Sequence, residues 1–207
     1  MVEAYMQQSA LAHLGLNARS APDNPTGVTL AELPITGQIG LRLDARDTTI
    51  LEAAEKALGF ALPVDPNTAT TKGKNTALWM GPDEWLLTTP ANQTVKLLER
   101  LGTALKGHHA AVFDVSDSRT ILSLSGENAR DVLKKGCGLD LHPRSFGPGQ
   151  CAQSSLALAH VMIHQTAETK KTKAATYHLF IHRSFAEYTW AWLEDAAGEY
   201  GVTVRGG

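Results

Sequence analysis

The chain has 207 residues, of which 43% are hydrophobic and 19% charged, and its formal net charge is −2. This composition predicts a packed globular protein of one large or two small domains, and the missing basic excess argues against a nucleic-acid-binding protein. The sequence contains no apolar run of about 18 residues and no secretory leader, so we expect no membrane span and a cytoplasmic location. Two cysteines, Cys137 and Cys151, are too few for a disulfide framework or a zinc site.

The first part of the chain predicts an arm followed by a strand-rich repeat. Residues 1–27 are typical of an irregular or partly helical N-terminal arm, and residues 28–115 form the first predicted repeat. Within it, Thr36-Gly37 indicates a turn between two strands, and residues 61–73 indicate a loop. The predicted strands are 28–35, 39–43, 76–80, 85–89 and 110–115, and the predicted helices are 47–58 and 92–105.

The second part, residues 116–207, repeats the same order at a spacing of about 80 residues. Its predicted strands are 119–124, 156–164, 177–182 and 202–204, with helices at 126–135 and from Ser184, where Glu187 would complete a capping box. The fold prediction is therefore α+β, a ferredoxin-like βαββαβ unit present twice. Because helices cover one face of each sheet, the two halves are expected to cover each other in one compact unit.

Sequence motifs for catalysis are weak. Gly136-Cys137-Gly138 follows a helix, so it does not match a dinucleotide-binding fingerprint, and Ser116-Asp117-Ser118 is interpreted as a polar bend between strands. The residues alone therefore predict no catalytic, cofactor-binding or metal-binding site.

Four histidines form the most distinctive pattern. His160 and His164 are four residues apart on one predicted strand, as are His178 and His182 on the next. Residues two apart share one face of a strand, so a hairpin would place all four on one surface. Residues i and i+4 lie roughly 13 Å apart, so at most one cross-strand pair could share an ion, and we favour an interface over a metal site. The candidate interface residues are His160, Met162, His164, His178, Phe180, His182 and Trp190, the last predicted to lie outside the core-facing stripe of its helix.

Three separated segments then resemble a known family. They are LWMGPDEWLL at 78–87, LKKGCGLDLHPRSF at 133–146 with GQCAQS at 149–154, and RSFAEY at 183–188. In this order they resemble the gamma subunits of bacterial heterotetrameric sarcosine oxidases, and the likeness extends from about residue 8 to 200.

The resemblance implies a multisubunit context. Such complexes demethylate sarcosine oxidatively to glycine, transfer the one-carbon unit to tetrahydrofolate and produce hydrogen peroxide. In the family, the alpha subunit carries NAD and a folate-type domain, the beta subunit carries FAD and FMN, and the delta subunit binds zinc. We therefore expect alpha, beta and delta subunits as partners, no cofactor in this chain, and a fold similar to the folate domain of glycine-cleavage aminomethyltransferases.

We do not expect this chain to catalyse the aminomethyltransferase reaction. In that wider family, a strand after a Pro-Gly-Gln loop opens with paired acids that engage the folate or the amine. Here the loop is present at 147–150, but the later strand reads Leu-Ala-His-Val at 158–161, and the matching place in the first half reads Lys-Asn-Thr at 74–76. Since histidine supplies no fixed negative charge, we predict a non-catalytic structural subunit. The alternatives are a free-standing folate-dependent aminomethyltransferase-like protein and the equivalent subunit of a complex that oxidises another N-methyl amino acid.

Overall fold

A computed structural model describes residues 7–19, 26–169 and 174–206. The parts of the predicted arm at 1–6 and 20–25 lie outside the described residues. The strands are β1 (Val28–Glu32), β2 (Thr36–Leu43), β3 (Ala69–Lys72), β4 (Asn75–Gly81), β5 (Glu84–Pro90), β6 (Ala110–Asp114), β7 (Arg119–Gly126), β8 (Cys151–Leu156), β9 (Ala159–Glu168), β10 (Ala175–His182) and β11 (Val202–Arg205). The helices are α1 (Thr48–Leu58), α2 (Thr94–Ala104), α3 (Ala129–Lys134) and α4 (Ala186–Ala197), and short 3₁₀ turns lie between some of these elements.

The chain divides into two units. One comprises residues 36–117 and 148–153 and contains a sheet of order β3-β4-β5-β2-β6, which we call the five-stranded unit. The other comprises the remaining described residues and contains a sheet of order β11-β1-β7-β10-β9-β8, which we call the six-stranded unit. Each contains the ferredoxin-like succession of strand, helix, two antiparallel strands, helix and strand. Each sheet has one further strand at an edge, β3 or β8, and the six-stranded sheet also contains β1 between β11 and β7, so the predicted duplicated α+β fold is confirmed.

Helix α1 of the five-stranded unit begins at a side-chain cap and ends at a glycine. The Asp47 carboxylate accepts hydrogen bonds from the amides of Thr49 and Ile50, at 3.0 and 3.3 Å, and caps α1. Gly59 follows the helix with a φ of 82°, a left-handed conformation that glycine adopts without strain. Both helices bury apolar side chains against the sheet, and the core includes Ile39, Leu41, Ile50, Ala54, Leu58, Trp85, Leu87, Leu97 and Leu101.

The first strand of the chain belongs to the six-stranded unit, in contrast to the predicted boundaries of 28–115 and 116–207. β1 pairs antiparallel with β7 and parallel with β11, and it does not form a hairpin with β2. Thr36 and Gly37, predicted as the turn of that hairpin, lie inside β2. Gly126, with a φ of 130°, permits the close approach of β7 to β1, because a Cβ there would lie 2.2 Å from the carbonyl oxygen of Gly27.

Three further boundaries differ from the sequence prediction. β3 occupies part of the predicted loop at 61–73, and the predicted strand 156–164 is divided between β8 and β9 by a two-residue turn. In that turn Ala157 has a φ of 50°, a conformation that turns usually assign to glycine or asparagine, so composition gave no signal for it. Helix α4 starts at Ala186 after a 3₁₀ turn and has no side-chain cap, so the predicted capping box of Ser184 and Glu187 is wrong.

Candidate interface site

The histidine-bearing strands form an antiparallel hairpin in the six-stranded unit. His178 pairs with His164 and Phe180 pairs with Met162 across β9 and β10. Alternate residues of a strand share one face, so the predicted common face of these side chains is confirmed. We call the six residues His160, Met162, His164, His178, Phe180 and His182 the histidine face.

The histidine face is buried at its centre and at the end where His164 pairs with His178, and it is exposed at the opposite end. Met162, His164 and Phe180 are buried and His178 is half-buried, whereas His160 and His182 are exposed. A side chain that is already buried cannot present its surface to another molecule without rearrangement. The accessible part of the candidate interface is therefore restricted to the two terminal histidines of the hairpin.

His164 and His178 interact directly at the buried end. Their rings meet edge to face, with centroids 6.3 Å apart. Burial, and secondarily the charge of His178, lowers the pKa of His164 to about 4, and burial also lowers the pKa of His178. Both imidazoles are therefore neutral near pH 7. Within 7–19, 26–169 and 174–206, no three His, Cys, Asp or Glu side chains cluster in a way that could hold a metal ion.

Trp190 occupies a different environment from the one that the sequence predicted. The residue is 1% exposed, and its indole Nε1 donates a 2.7 Å hydrogen bond to Glu194 Oε2. The buried stripe of α4 consists of Ala186, Thr189, Trp190, Leu193, Ala196 and Ala197. Trp190 lies within this stripe, so the prediction that it lies outside the core-facing side of the helix, as an interface anchor, is wrong.

The segments 158–161 and 74–76, which correspond to the position of the acid pair in the aminomethyltransferases, differ from each other in structure. Leu158 stands at the tip of the β8–β9 turn and is 81% exposed, followed by buried Ala159 and exposed His160. In the five-stranded unit, Asn75 Oδ1 accepts a 2.9 Å hydrogen bond from the Thr89 hydroxyl. Neither place therefore supplies a carboxylate of its own.

Sequence reasoning missed a polar pocket in the five-stranded unit. It is lined by Asn75, Thr89, Gln93, Lys96, Leu97 and Arg100. The signal was present, since Lys96 and Arg100 are four residues apart on a predicted helix and so share one face. Their juxtaposition with Asn75 could not be read from the sequence, because it depends on the pairing of β4 with β5.

No helix among the described residues is long and apolar enough to cross a bilayer. The fold has a counterpart in the aminomethyltransferase T of the glycine cleavage system from Bartonella henselae, with a TM-score of 0.59 at 14% identity over 89% of this chain and 48% of that one. At this level of identity the likeness concerns the fold, and it confirms the predicted aminomethyltransferase-type architecture.

Several relatives match nearly the whole chain. The sarcosine oxidase subunit gamma of Corynebacterium sp. strain U-96 is 36% identical over 94% of this chain and 92% of its own length, and that of an Arthrobacter species is 33% identical with the same coverage. A chain of the heterotetrameric sarcosine oxidase from Corynebacterium sp. U-96, solved with pyrrole 2-carboxylate, superimposes with a TM-score of 0.83 at 34% identity over 94% of this chain and 96% of that one. The model of the sarcosine oxidase gamma subunit family matches residues 42–199. Since sequence and fold agree over most of its length, the chain belongs to the sarcosine oxidase gamma subunit family.

Proposed function

We propose that this chain is the gamma subunit of a heteromeric oxidase that demethylates sarcosine, and that it contributes binding surface rather than reacting groups. The observation that carries the proposal is the superposition with a chain of a heterotetrameric sarcosine oxidase over more than nine-tenths of both chains. A likeness of this extent supports the same place in an assembly, because an interface depends on the whole shape of a subunit.

The proposed partners are alpha, beta and delta subunits, which would hold the nicotinamide, flavin, folate and zinc groups of the complex. The present chain lacks carboxylates at both places compared with the aminomethyltransferase acids, and its buried histidines are neutral. A protonated amine or an iminium ion needs a fixed negative charge beside it, so these residues favour a supporting role. Both cysteines are buried thiols, which is consistent with a cytoplasmic complex.

Co-expression of the four subunits tests the assembly. We expect this chain to co-elute with the alpha and beta subunits on a sizing column, and the complex to oxidise sarcosine in preference to other N-methyl amino acids. A chain that stays separate from its co-expressed partners would contradict the proposal. Faster oxidation of a different N-methyl amino acid would retain the subunit role and change the substrate. Micromolar binding of tetrahydrofolate by the isolated chain in calorimetry would instead support an aminomethyltransferase-like protein.

The exposed end of the histidine face, formed by His160 and His182, provides the proposed contact with a partner. The double substitution His160→Asp and His182→Asp would place two charges on this surface without entering the core, since both residues are exposed. We expect weaker co-elution with an unchanged unfolding transition of the isolated chain, because unpaired charges at an interface are costly to desolvate. His109→Asp is the matched control, an exposed histidine of the five-stranded unit. Assembly equal to wild type in the double variant would remove His160 and His182 from the interface.

A further inference from the structure

The polar pocket of the five-stranded unit is formed where helix α2 begins beside the end of β5. Its volume is about 200 Å³, and its polar lining consists of Asn75, Thr89, Gln93, Lys96 and Arg100. Every one of these side chains can donate a hydrogen bond, and none of the described residues that line the pocket is acidic.

The floor of the pocket is held in a fixed orientation. Thr89 is 1% exposed, and its hydroxyl donates to Asn75 Oδ1 at 2.9 Å. Because the amide oxygen of Asn75 is thereby occupied, its NH₂ group remains as the donor available to a ligand. The buried threonine therefore sets the hydrogen-bonding character of the site.

The cations of the pocket differ from other exposed cations of the same unit. Arg42 forms an ion pair with Asp83 and Arg46 one with Asp44, both at 2.8 Å, in a separate groove. Lys96 and Arg100 form no ion pair with any carboxylate among the described residues. Two neighbouring positive charges without a counterion create a potential that attracts an anion.

The start of α2 adds to this potential. The helix has no side-chain cap and no acidic residue in its first turn, and Lys96 lies in that turn. A cation near the positive end of a helix dipole is unfavourable, and a bound anion would relieve both the dipole and the lysine. The pocket itself is defined by its lining side chains. The helix dipole adds to the positive potential that these side chains create.

We propose that this pocket binds a small anion that carries carboxylate or phosphate groups. Arg100 would contact two anion oxygens through its planar guanidinium group, Lys96 would supply a second positive charge, and the Asn75 amide would donate from the floor. The inference is independent of the proposed subunit role, because it concerns a separate pocket and its test does not require assembly.

Calorimetric titration of the full chain with inorganic phosphate and with succinate, at low ionic strength, tests the site. We expect saturable binding of one anion per chain and a loss of at least about tenfold in affinity in the double variant Lys96→Gln and Arg100→Gln, since hydrogen bonds to charged groups are among the strongest. A preference for phosphate or for succinate identifies the class of anion. Asn75→Asp should also abolish binding, because it places a negative charge in the floor.

Lys56→Gln is the matched control, since Lys56 is an exposed lysine on helix α1 of the same unit. The control should bind both anions like the wild type. The proposal is overturned if neither anion binds saturably, if the double variant retains wild-type affinity, or if the control loses as much affinity as the double variant. Unfolding curves of all variants, which should match that of the wild type, separate a lost site from a lost fold.

Discussion

The two units contain the same succession of elements but differ in one strand, and the difference shows where the duplication is modified. In the five-stranded unit the first strand, β2, pairs directly with the last strand, β6. In the six-stranded unit the corresponding strands, β7 and β11, are separated by β1, which pairs with both. The N-terminal strand thus completes the sheet of a unit whose other strands follow more than eighty residues later.

A second difference concerns polar groups in the interior. The six-stranded unit buries His164 and also the ion pair of Arg130 with Glu168, whose side chains are 10% and 17% exposed. The ion pairs of the five-stranded unit, such as Arg42 with Asp83, are exposed. Buried charges and imidazoles respond strongly to substitution and pH, whereas exposed pairs contribute little. The six-stranded unit should therefore be the more sensitive of the two.

The largest expected effect tests whether the inserted strand β1 contributes as much to the free energy of unfolding as the central strand β2. Leu30 in β1 and Leu41 in β2 are both 0% exposed. Each leucine-to-alanine substitution should lower the free energy of unfolding by about 3–5 kcal/mol, through lost burial and a residual cavity. Chemical denaturation measures both. If Leu30→Ala costs less than about 1 kcal/mol while Leu41→Ala shows the full loss, β1 is only loosely attached to the sheet and does not complete it as proposed.

The next largest effect on stability should come from removing the buried ion pair of the six-stranded unit, compared with an exposed pair of the five-stranded unit. Arg130→Gln leaves the poorly exposed Glu168 carboxylate without its cation, and we expect a loss of about 3 kcal/mol in unfolding free energy. The matched substitution Arg42→Gln removes a pair whose side chains are 52% and 54% exposed, so its cost should remain below about 1 kcal/mol. Equal losses in the two variants, measured in the same denaturation series, would show that burial does not distinguish the pairs.

The features that the sequence revealed are those with local chemical causes. Helix α1 was predicted at 47–58 and is found at Thr48–Leu58, because its Asp47 cap and its left-handed terminus at Gly59 depend on neighbouring residues alone. The shared face of His164 and His178 followed from strand periodicity. These interactions span few residues or repeat with a fixed period, so the chain specifies them without knowledge of the fold.

The features that sequence reasoning missed depend on partners distant in the chain. β1 was assigned to the wrong half because its pairing with β11 joins residues far apart in sequence, and hydrophobic alternation does not specify the partner strand. Trp190 was misplaced because a shift of one residue in helix phase changes which side faces the core. The polar pocket of the five-stranded unit was missed because Asn75 and Lys96 come together through strand pairing and helix packing.

The last of these effects, and the most specific to the six-stranded unit, is a dependence of stability on pH. In the folded chain burial lowers the pKa of His164 from 6.5 to about 4. The unfolded chain therefore binds a proton that the folded chain excludes between these values, so stability is fully present above pH 6.5 and declines as the pH falls toward 4. The loss should be on the order of 3 kcal/mol, with His178 acting in the same direction. In His164→Gln, which has no titrating imidazole, denaturation midpoints measured from pH 7 to pH 4 should decline less than those of the wild type. His109→Gln, at an exposed histidine of the five-stranded unit, should retain the full decline, and an equal flattening in this control would show that acid sensitivity does not arise from the buried histidine pair.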